Sequence, residues 1–203
     1  MRLFGMAVAI VAAYLISQAP LGDFAPAPTQ YSLTVAVFAQ DNEHFQDLHF
    51  YGDGSITRID VVPVPGATQK PHGYELGAMH IQQNSQNSVV YYWGAASGET
   101  SCKKQPWVQA ELSNPFAFST GRLKVLTDQW SRKQVGSEVI NGRRANIFVF
   151  TTPKQDRTIK DWIDSQYGLD VKIEEDGKLK MEVTKFDLAK PPASVFVLDP
   201  VCK

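Results

Sequence analysis

Few side chains in this sequence have the types and the spacing that catalysis or metal binding requires. Asp47 and His49 are two positions apart on a predicted strand and so share a face, and Glu43 and His44 directly precede that strand. A metal site needs three or four ligands that converge at recognised spacings, and this cluster has none of those spacings. We therefore interpret these residues as surface polar groups at the start of a strand, and we expect no metal and no cofactor.

The familiar catalytic and phosphate-binding motifs are also missing. The sequence contains no Gly-x-Ser-x-Gly, no His-Glu-x-x-His, no Gly-x-Gly-x-x-Gly and no Walker loop. Asp161 and Asp164 flank Trp162, but a separation of three residues places the two carboxylates on opposite faces of a strand. We assign no catalytic residue, and an enzyme remains the minor hypothesis.

The two cysteines, Cys102 and Cys202, predict a structural disulfide. A lone pair of cysteines in an exported protein is usually oxidised, and this bond would tie the C-terminus to the middle of the domain. A redox or metal role has little support, because the sequence has no Cys-x-x-Cys motif and no histidine near either cysteine.

An export signal is predicted at the N-terminus. Arg2 precedes an uncharged, mostly apolar run over residues 3–16, which as a helix spans only about 20 Å and is too short for a hydrocarbon core of about 30 Å. Small-x-small cleavage sites end at Ala19 and at Ala27. Because cleavage after Ala19 would leave Pro20 directly behind the cut, we prefer Ala27, and an uncleaved anchor is the competing interpretation. The domain prediction is a signal peptide over 1–27 and one β domain over 28–203, located in the periplasm or outside the cell.

Charge is unevenly distributed along a chain whose formal net charge is −1. Residues 103–160 carry eleven Lys and Arg against four Asp and Glu, whereas residues 28–102 carry two against seven. A basic block of this kind is either a set of solvated strand faces and loops, or a surface for anionic headgroups or an acidic partner. Nucleic acid fits an exported, nearly neutral protein poorly, and membrane contact is expected to be transient at most.

Alternating apolar and polar residues dominate the chain and predict an antiparallel meander. Asn141-Gly142, Asp176-Gly177 and the segment 166–168 mark tight turns between successive strands. The one helical candidate is 112–130, where Asn114 can cap a helix that has Pro115 at its first position. Gly121 is predicted to break this helix or to divide it. The predicted strands are 31–40, 45–51, 56–64, 74–82, 88–93, 133–140, 143–150, 159–165, 169–174 and 178–186.

Aromatic and aliphatic residues are abundant on these strands. Core packing is the simplest explanation for each of them taken singly. A large antiparallel sheet, however, must close, pair with a second sheet or curl around something, and a single short helical region covers little of it. We therefore predict a curved sheet around an apolar cavity. The candidate lining residues are Val35, Val37, Leu48, Phe50, Tyr91, Trp93, Ile147, Val149, Trp162, Met181 and Phe196.

Several segments together resemble the LolA-like superfamily, exported bacterial proteins related to the periplasmic carrier of lipoproteins. Asp170-Val171 stands where Pro-Leu is usual in that family. Tyr51 to Gly54 and Arg58 to Asp60 are similar to the family's early strand pair, and the resemblance spans residues 31–202. The later segments are VGSEVING (135–142), DWID (161–164), YGLDVK (167–172), 181–186, 191–196 and Cys202.

The resemblance implies a mainly β fold with short helices, in which a strongly curved antiparallel sheet forms an incomplete barrel over an apolar cavity. It does not decide the function, because the superfamily includes a lipoprotein carrier, a regulatory partner protein, lipid-binding lipoproteins and an enzyme.

Two non-catalytic hypotheses follow. The first is an exported protein that binds a hydrophobic small molecule, a lipid or an acyl chain, in the cavity of the sheet. The alternative is an interaction module that binds an envelope protein through residues 103–160.

Overall fold

The computed structural model describes residues 23–69, 77–84, 87–93, 95–96, 99–100, 102–106 and 114–203. The predicted export run at 3–16, part of the loop at 66–73 and the first residues of the strand predicted at 74–82 lie outside this part of the chain. Within it, no helix combines the length and the apolar character needed to cross a membrane.

The described chain is mainly β-structure, as the alternating sequence pattern predicts. Thirteen strands are described: β1 Gln30–Phe38, β2 His44–Asp53, β3 Ile56–Pro63, β4 Gly77–Asn84, β5 Asn87–Trp93, β6 Ala95–Ala96, β7 Glu99–Thr100, β8 Lys103–Pro106, β9 Ser131–Ile140, β10 Arg143–Thr151, β11 Thr158–Asp164, β12 Asp170–Glu175 and β13 Lys178–Asp187.

Eleven of these strands form one antiparallel sheet in the order β8-β5-β4-β3-β2-β1-β13-β12-β11-β10-β9, and β6 and β7 pair separately. In the described residues the sheet ends at β8 and β9, so it is an open sheet rather than a closed barrel. The turn between β9 and β10 reaches back over the sheet, because Asn141 Nδ2 donates to the Val183 carbonyl of β13 at 2.6 Å. Two strands separate β10 from β13, so this contact requires strong curvature.

The tight turns follow from their sequence. Asn141 and Gly142 have φ values of 47° and 78°, and Asp176 and Gly177 have 51° and 76°. Both central residues of these two-residue hairpin turns therefore adopt positive φ, which Asn, Asp and Gly accept most readily. These turns fix the meander from β9 to β10 and from β12 to β13.

A single continuous helix, α1, spans Pro115–Gln129 in the described chain. Asn114 caps it as predicted, with Oδ1 accepting from the Phe116 N–H at 3.0 Å. The predicted break at Gly121 was wrong. Gly in a helix interior costs only about 1 kcal/mol relative to Ala. The buried Leu123 and Leu126, which follow Gly121 in the helix, supply packing that offsets this cost.

The core lies in two clusters. The main cluster joins buried residues of β1, β9, β10, β11, β12 and β13 with Phe116 at the start of α1. A smaller cluster packs the body of α1 against the sheet and includes Leu123, Leu126, Phe148, Phe150 and Ile163. The helix thus contacts β10 and β11 along its length and the centre of the sheet at its N-terminal end.

The C-terminal segment is attached to the other end of the sheet. Two short 3-10 helices, Ala193–Phe196 and Pro200–Cys202, follow β13. The Arg58 guanidinium of β3 donates to the Val195 carbonyl at 2.7 Å. The structure has the predicted disulfide between Cys102 and Cys202, whose Cα atoms are 5.0 Å apart.

Candidate functional site

The register divides the sheet into two faces, because directly paired residues of antiparallel strands project to the same side. Leu33 of β1 pairs with Phe50 of β2 and with Phe186 of β13. We call their side the Leu33 face. By the same pairing it also carries Val35, Val37, Leu48, Val61, Val183 and Met181.

The opposite side, the Tyr51 face, follows from an equivalent row of pairs. Tyr51 pairs with Arg58, Arg58 with Met79, and Met79 with Tyr91. Trp93 is two positions beyond Tyr91 and lies under the Arg58 guanidinium, 5.2 Å from the ring centroid. The buried Trp93 and Met79 therefore belong to the Tyr51 face.

A further row of pairs crosses the other half of the sheet. Ala36, which neighbours Val35 and so points away from it, pairs with Glu182. Glu182 pairs with Lys172, Lys172 with Trp162, and Trp162 with Ile147. By this pairing Trp162 and Ile147 project to the side of Glu182, yet Trp162 belongs to the main core cluster together with Leu33, and Ile147 packs against that cluster.

Seven of the eleven predicted lining residues belong to the main core cluster or pack against it, and their role as a cavity lining stays a prediction: Val35, Val37, Leu48, Phe50, Ile147, Trp162 and Met181. Of the eleven, five lie on the Leu33 face: Val35, Val37, Leu48, Phe50 and Met181. Tyr91 and Trp93 lie on the Tyr51 face, and strand pairing directs Ile147, Val149 and Trp162 to the side of Glu182. Phe196 ends the 3-10 helix next to Val195, whose carbonyl binds Arg58 of the Tyr51 face.

The Leu33 face is the stronger candidate for an apolar binding surface. Val37, Leu48, Phe50 and Met181 are only half-buried, yet all four pack against the main core cluster. They occupy three adjacent strands, β13, β1 and β2, so they make one continuous apolar strip. Half-buried apolar side chains in such a strip are a surface that an apolar ligand can complete.

An aromatic group closes one end of this strip. Phe116 at the start of α1 lies 5.2 Å from Tyr31 and 5.9 Å from Phe186, measured between ring centroids. The Arg143 guanidinium lies 4.5 Å from the Phe186 centroid. Burial raises the pKa of Tyr31 to about 12. Tyr31 is therefore neutral at physiological pH.

A buried polar network beneath α1 was missed in the sequence. Arg122 binds Asp161 of β11 and Asp170 of β12, the latter at 3.0 Å between Nε and Oδ2. Both carboxyl groups are almost completely buried. The backbone N–H of Asp170 donates to the Ser119 hydroxyl at 3.0 Å, which adds a second link to the helix. The only sequence signal was Asp170 itself, which replaces the proline usual in the family that the chain resembles.

Asp164 has a different partner from Asp161. Its carboxylate binds Arg143 at 2.8 Å and accepts the Tyr167 N–H at 2.7 Å. Asp161 and Asp164 therefore have separate partners, as their parity predicts. Both carboxylates are committed to internal contacts rather than directed together at a substrate.

The predicted histidine cluster forms only a local pair. His44 Nε2 lies 2.8 Å from Asp47 Oδ1, and His44 stacks near Phe38. Among the described residues, no three or more His, Cys, Asp or Glu side chains are placed to hold a metal ion.

The basic residues of 103–160 are distributed over several elements. Lys103 and Lys104 lie on β8 at one end of the sheet, whereas Lys133 lies on β9 at the other end. Arg122 and Arg143 are engaged with buried carboxylates. A docking face over 103–160 therefore stays a prediction.

The comparisons with known proteins concern the fold. No family model and no curated protein sequence matches the chain. Among solved structures, it is similar to MucB in complex with MucA(peri), with 15% identity, a TM-score of 0.51 and coverage of 86% of this chain and 56% of that one. The Pseudomonas aeruginosa MucA/MucB complex gives 15% identity and a TM-score of 0.52 over 86% of this chain and 58% of that chain. MucB has a LolA-like fold, so the predicted fold is confirmed. The chain spans less than three fifths of the length of the MucB chains it matches.

Proposed function

We propose that this chain is an exported protein of the cell envelope that binds an apolar ligand, a lipid or an acyl chain, on the Leu33 face. The observation that carries the proposal is the strip of half-buried apolar side chains formed by Val37, Leu48, Phe50 and Met181. The described contacts of α1 involve Tyr31, Phe186 and residues of β10 and β11 rather than this strip.

The envelope location rests on the predicted export signal and on the likeness to MucB, whose structure was determined with MucA(peri). The absence of catalysis is part of the proposal. It is supported by the internal pairing of the buried carboxylates Asp161, Asp164 and Asp170 with Arg122 and Arg143.

Two neighbouring valines provide a matched pair of variants for a binding test. Val61 pairs with Leu48 and lies on the Leu33 face, whereas Val62 pairs with Asp47 and lies on the Tyr51 face. Delipidated protein is titrated with a fluorescent fatty acid. We expect Val61→Asn to weaken binding about tenfold, the equivalent of about 1.4 kcal/mol, because it places an amide beside Leu48 of the apolar strip. Val62→Asn should leave the affinity unchanged.

The proposal requires saturable binding and a difference between these two variants. Circular dichroism and urea unfolding establish that both remain folded before their affinities are compared. An absence of saturable binding, or equal losses for the two variants, would rule out the Leu33 face as the ligand site.

A second candidate function is binding of a protein partner through strand β9. This strand ends the described sheet, and Val135 and Val139 are 48% and 66% exposed on it. An exposed edge strand can pair with an extended segment of another protein. The likeness to MucB, which is found in complex with MucA, favours such a partner, and we commit to an extended segment added as a further strand.

A charge on the edge strand tests this alternative. With purified MucA(peri) as the probe, Val139→Lys should abolish binding because it places a charge on the pairing edge. Val125→Lys on α1, where the wild-type side chain is 52% exposed, is the control and should bind as the wild type does. Binding that falls steeply with salt would point instead to charge-driven contact.

A further inference from the structure

The N-terminal segment that precedes β1 is packed into the fold at Phe24. Its ring covers Gly168, in the turn between β11 and β12, so closely that a Cβ atom added to Gly168 would lie 2.6 Å from Phe24 Cδ2. Gly168 also has a φ of 69°, a conformation that glycine adopts without strain. The glycine therefore serves both the turn and the contact with the Phe24 ring.

The residue after Phe24 is fixed by a backbone hydrogen bond. The Ala25 N–H donates to the Gln166 carbonyl at 2.7 Å, in the same turn that Phe24 covers. Phe24 also packs against the smaller core cluster, which contains Leu123 and Ile163. One side chain and the adjacent backbone amide thus attach this segment to α1, to β11 and to the turn that follows it.

These contacts bear on where the chain is processed during export. The predicted cleavage sites end at Ala19 and Ala27, on either side of Phe24. Cleavage after Ala27 would remove Phe24 and Ala25, uncover one side of the smaller core cluster and leave the Gln166 carbonyl without its donor. Cleavage after Ala19, or retention of the whole segment, would keep both contacts.

We propose that Phe24 and Ala25 belong to the folded, mature protein, and that any export cleavage therefore occurs before Phe24 and not after Ala27. This reverses the preference that the sequence alone supports. It does not depend on the proposed ligand, because neither residue belongs to the apolar strip of Val37, Leu48, Phe50 and Met181.

The direct test is the mass of the exported protein. The chain is expressed with its own first 27 residues in a bacterial host, and the periplasmic and membrane fractions are both analysed by intact mass spectrometry. A mature N-terminus at Pro20, or a chain that retains residues 1–19, supports the proposal. A mature N-terminus at Pro28 overturns it.

A double-mutant cycle tests the packing itself in the full chain. Phe24→Ala should lower the melting temperature by about 4–8 °C, the range expected when a half-buried aromatic ring is lost from a domain of this size. Pro26→Ala changes an exposed residue of the same segment and should have little effect.

Gly168→Ala should be destabilising in the wild type, both through its positive φ and through collision with the Phe24 ring. In the Phe24→Ala background only the backbone strain remains, so the loss in melting temperature should be smaller. Additive losses would show that Phe24 does not occupy this position, and would overturn the proposal.

Discussion

Arg122 is the residue that connects α1 to two strands of the sheet. Its guanidinium binds the buried carboxyl groups of Asp161 and Asp170, and the Arg122 side chain is itself 19% exposed. Burial works against the charged form of Arg122, but the two carboxyl groups outweigh it, so the pKa of Arg122 lies above its ordinary value. Such a buried ion pair contributes little net stability compared with apolar packing, yet removing only one of its partners is strongly destabilising.

The first prediction concerns removal of the guanidinium. Arg122→Met keeps the length and apolar stem of the side chain but leaves the buried Asp161 and Asp170 without their guanidinium partner. We expect a loss of about 3–5 kcal/mol in the free energy of unfolding. Lys124→Met, at an exposed position of the same helix, should change stability by less than about 0.5 kcal/mol. Urea unfolding measures both, and comparable values for the two variants would contradict a structural role for the network.

Asp161 carries the unusual titration of this network. Burial and the neighbouring Asp170 raise the pKa of Asp161 well above its usual range, and Arg122 offsets only part of the effect. The Oδ1 atoms of Asp161 and Asp170 have no hydrogen-bond partner among the described residues. A proton on Asp161 lets one carboxyl group donate to the other, which satisfies both oxygens.

The second prediction follows from the sign of that shift. Because the folded protein holds the Asp161 proton more tightly than the unfolded chain, stability falls as pH rises from the unfolded pKa, about 3.9, through the raised folded pKa. Asp161→Asn removes this titration, so the difference in unfolding free energy, variant minus wild type, should increase with pH above about 4. Asp128→Asn, which alters an exposed carboxylate of α1, is the control. A pH-independent difference for Asp161→Asn would show that Asp161 is ionised throughout.

At the scale of elements, α1 illustrates how tertiary packing overrides a local signal. No atom of the described residues beyond the helix itself lies within 4 Å of the position that a Cβ atom on Gly121 would occupy, so no neighbouring group comes close enough to exclude a side chain. Nothing in the described contacts requires glycine there. The helix continues through it because Phe116, Leu123 and Leu126 are buried on one side of the helix.

The third prediction compares two glycines. Gly121→Ala should raise the unfolding free energy by about 0.5–1 kcal/mol, because alanine loses less conformational entropy in a helix. Gly142→Ala should lower it by at least as much, since Gly142 has a φ of 78° in a two-residue hairpin turn. Both are measured by urea unfolding under identical conditions. Destabilisation by Gly121→Ala would indicate that its open side is covered.

The elements themselves were largely predictable from sequence, whereas their relative placement was not. The turn at Asn141-Gly142 and the cap at Asn114 are local signals that depend on backbone conformation alone, and both are confirmed. The alternating pattern of β5 correctly places Tyr91 and Tyr92 on opposite faces of the sheet. Alternation within one strand does not identify which face of the whole sheet a given side chain occupies, because that depends on the register between strands.

Bulges add to this difficulty. The register shifts between Trp162 and Ile163 where β11 meets β12, so Ile163 pairs with Asp170. That shift brings Asp170 to the Asp161 side of the sheet, where Arg122 can reach both carboxyl groups. A one-residue irregularity of this kind leaves no dependable mark in a single sequence. The buried network was therefore missed, although each strand that carries it was predicted.

At the scale of the whole molecule, different parts of the chain bind the two faces. The start of α1 packs on the Leu33 face through Phe116, whereas the C-terminal segment contacts Arg58 of the Tyr51 face through Val195. The Cys102–Cys202 disulfide joins the last 3-10 helix to the chain just before β8, the end strand on that side. Since β8 is only four residues long and exposed, this bond holds both the C-terminus and the end of the sheet.

The last prediction is the contribution of this disulfide. The cysteines are 100 residues apart, and closing a loop of that size restricts the unfolded chain by about 4–5 kcal/mol in the chain-entropy model. Cys102→Ser with Cys202→Ser should lower the unfolding free energy by up to about that amount. The oxidised wild type, the reduced wild type and the double variant are compared by urea unfolding, and the last two should agree. Limited proteolysis should then cleave first in the C-terminal segment, because its attachment is reduced to contacts such as the Arg58–Val195 hydrogen bond. A loss below about 1 kcal/mol would mean that contacts other than the disulfide hold the C-terminal segment in place.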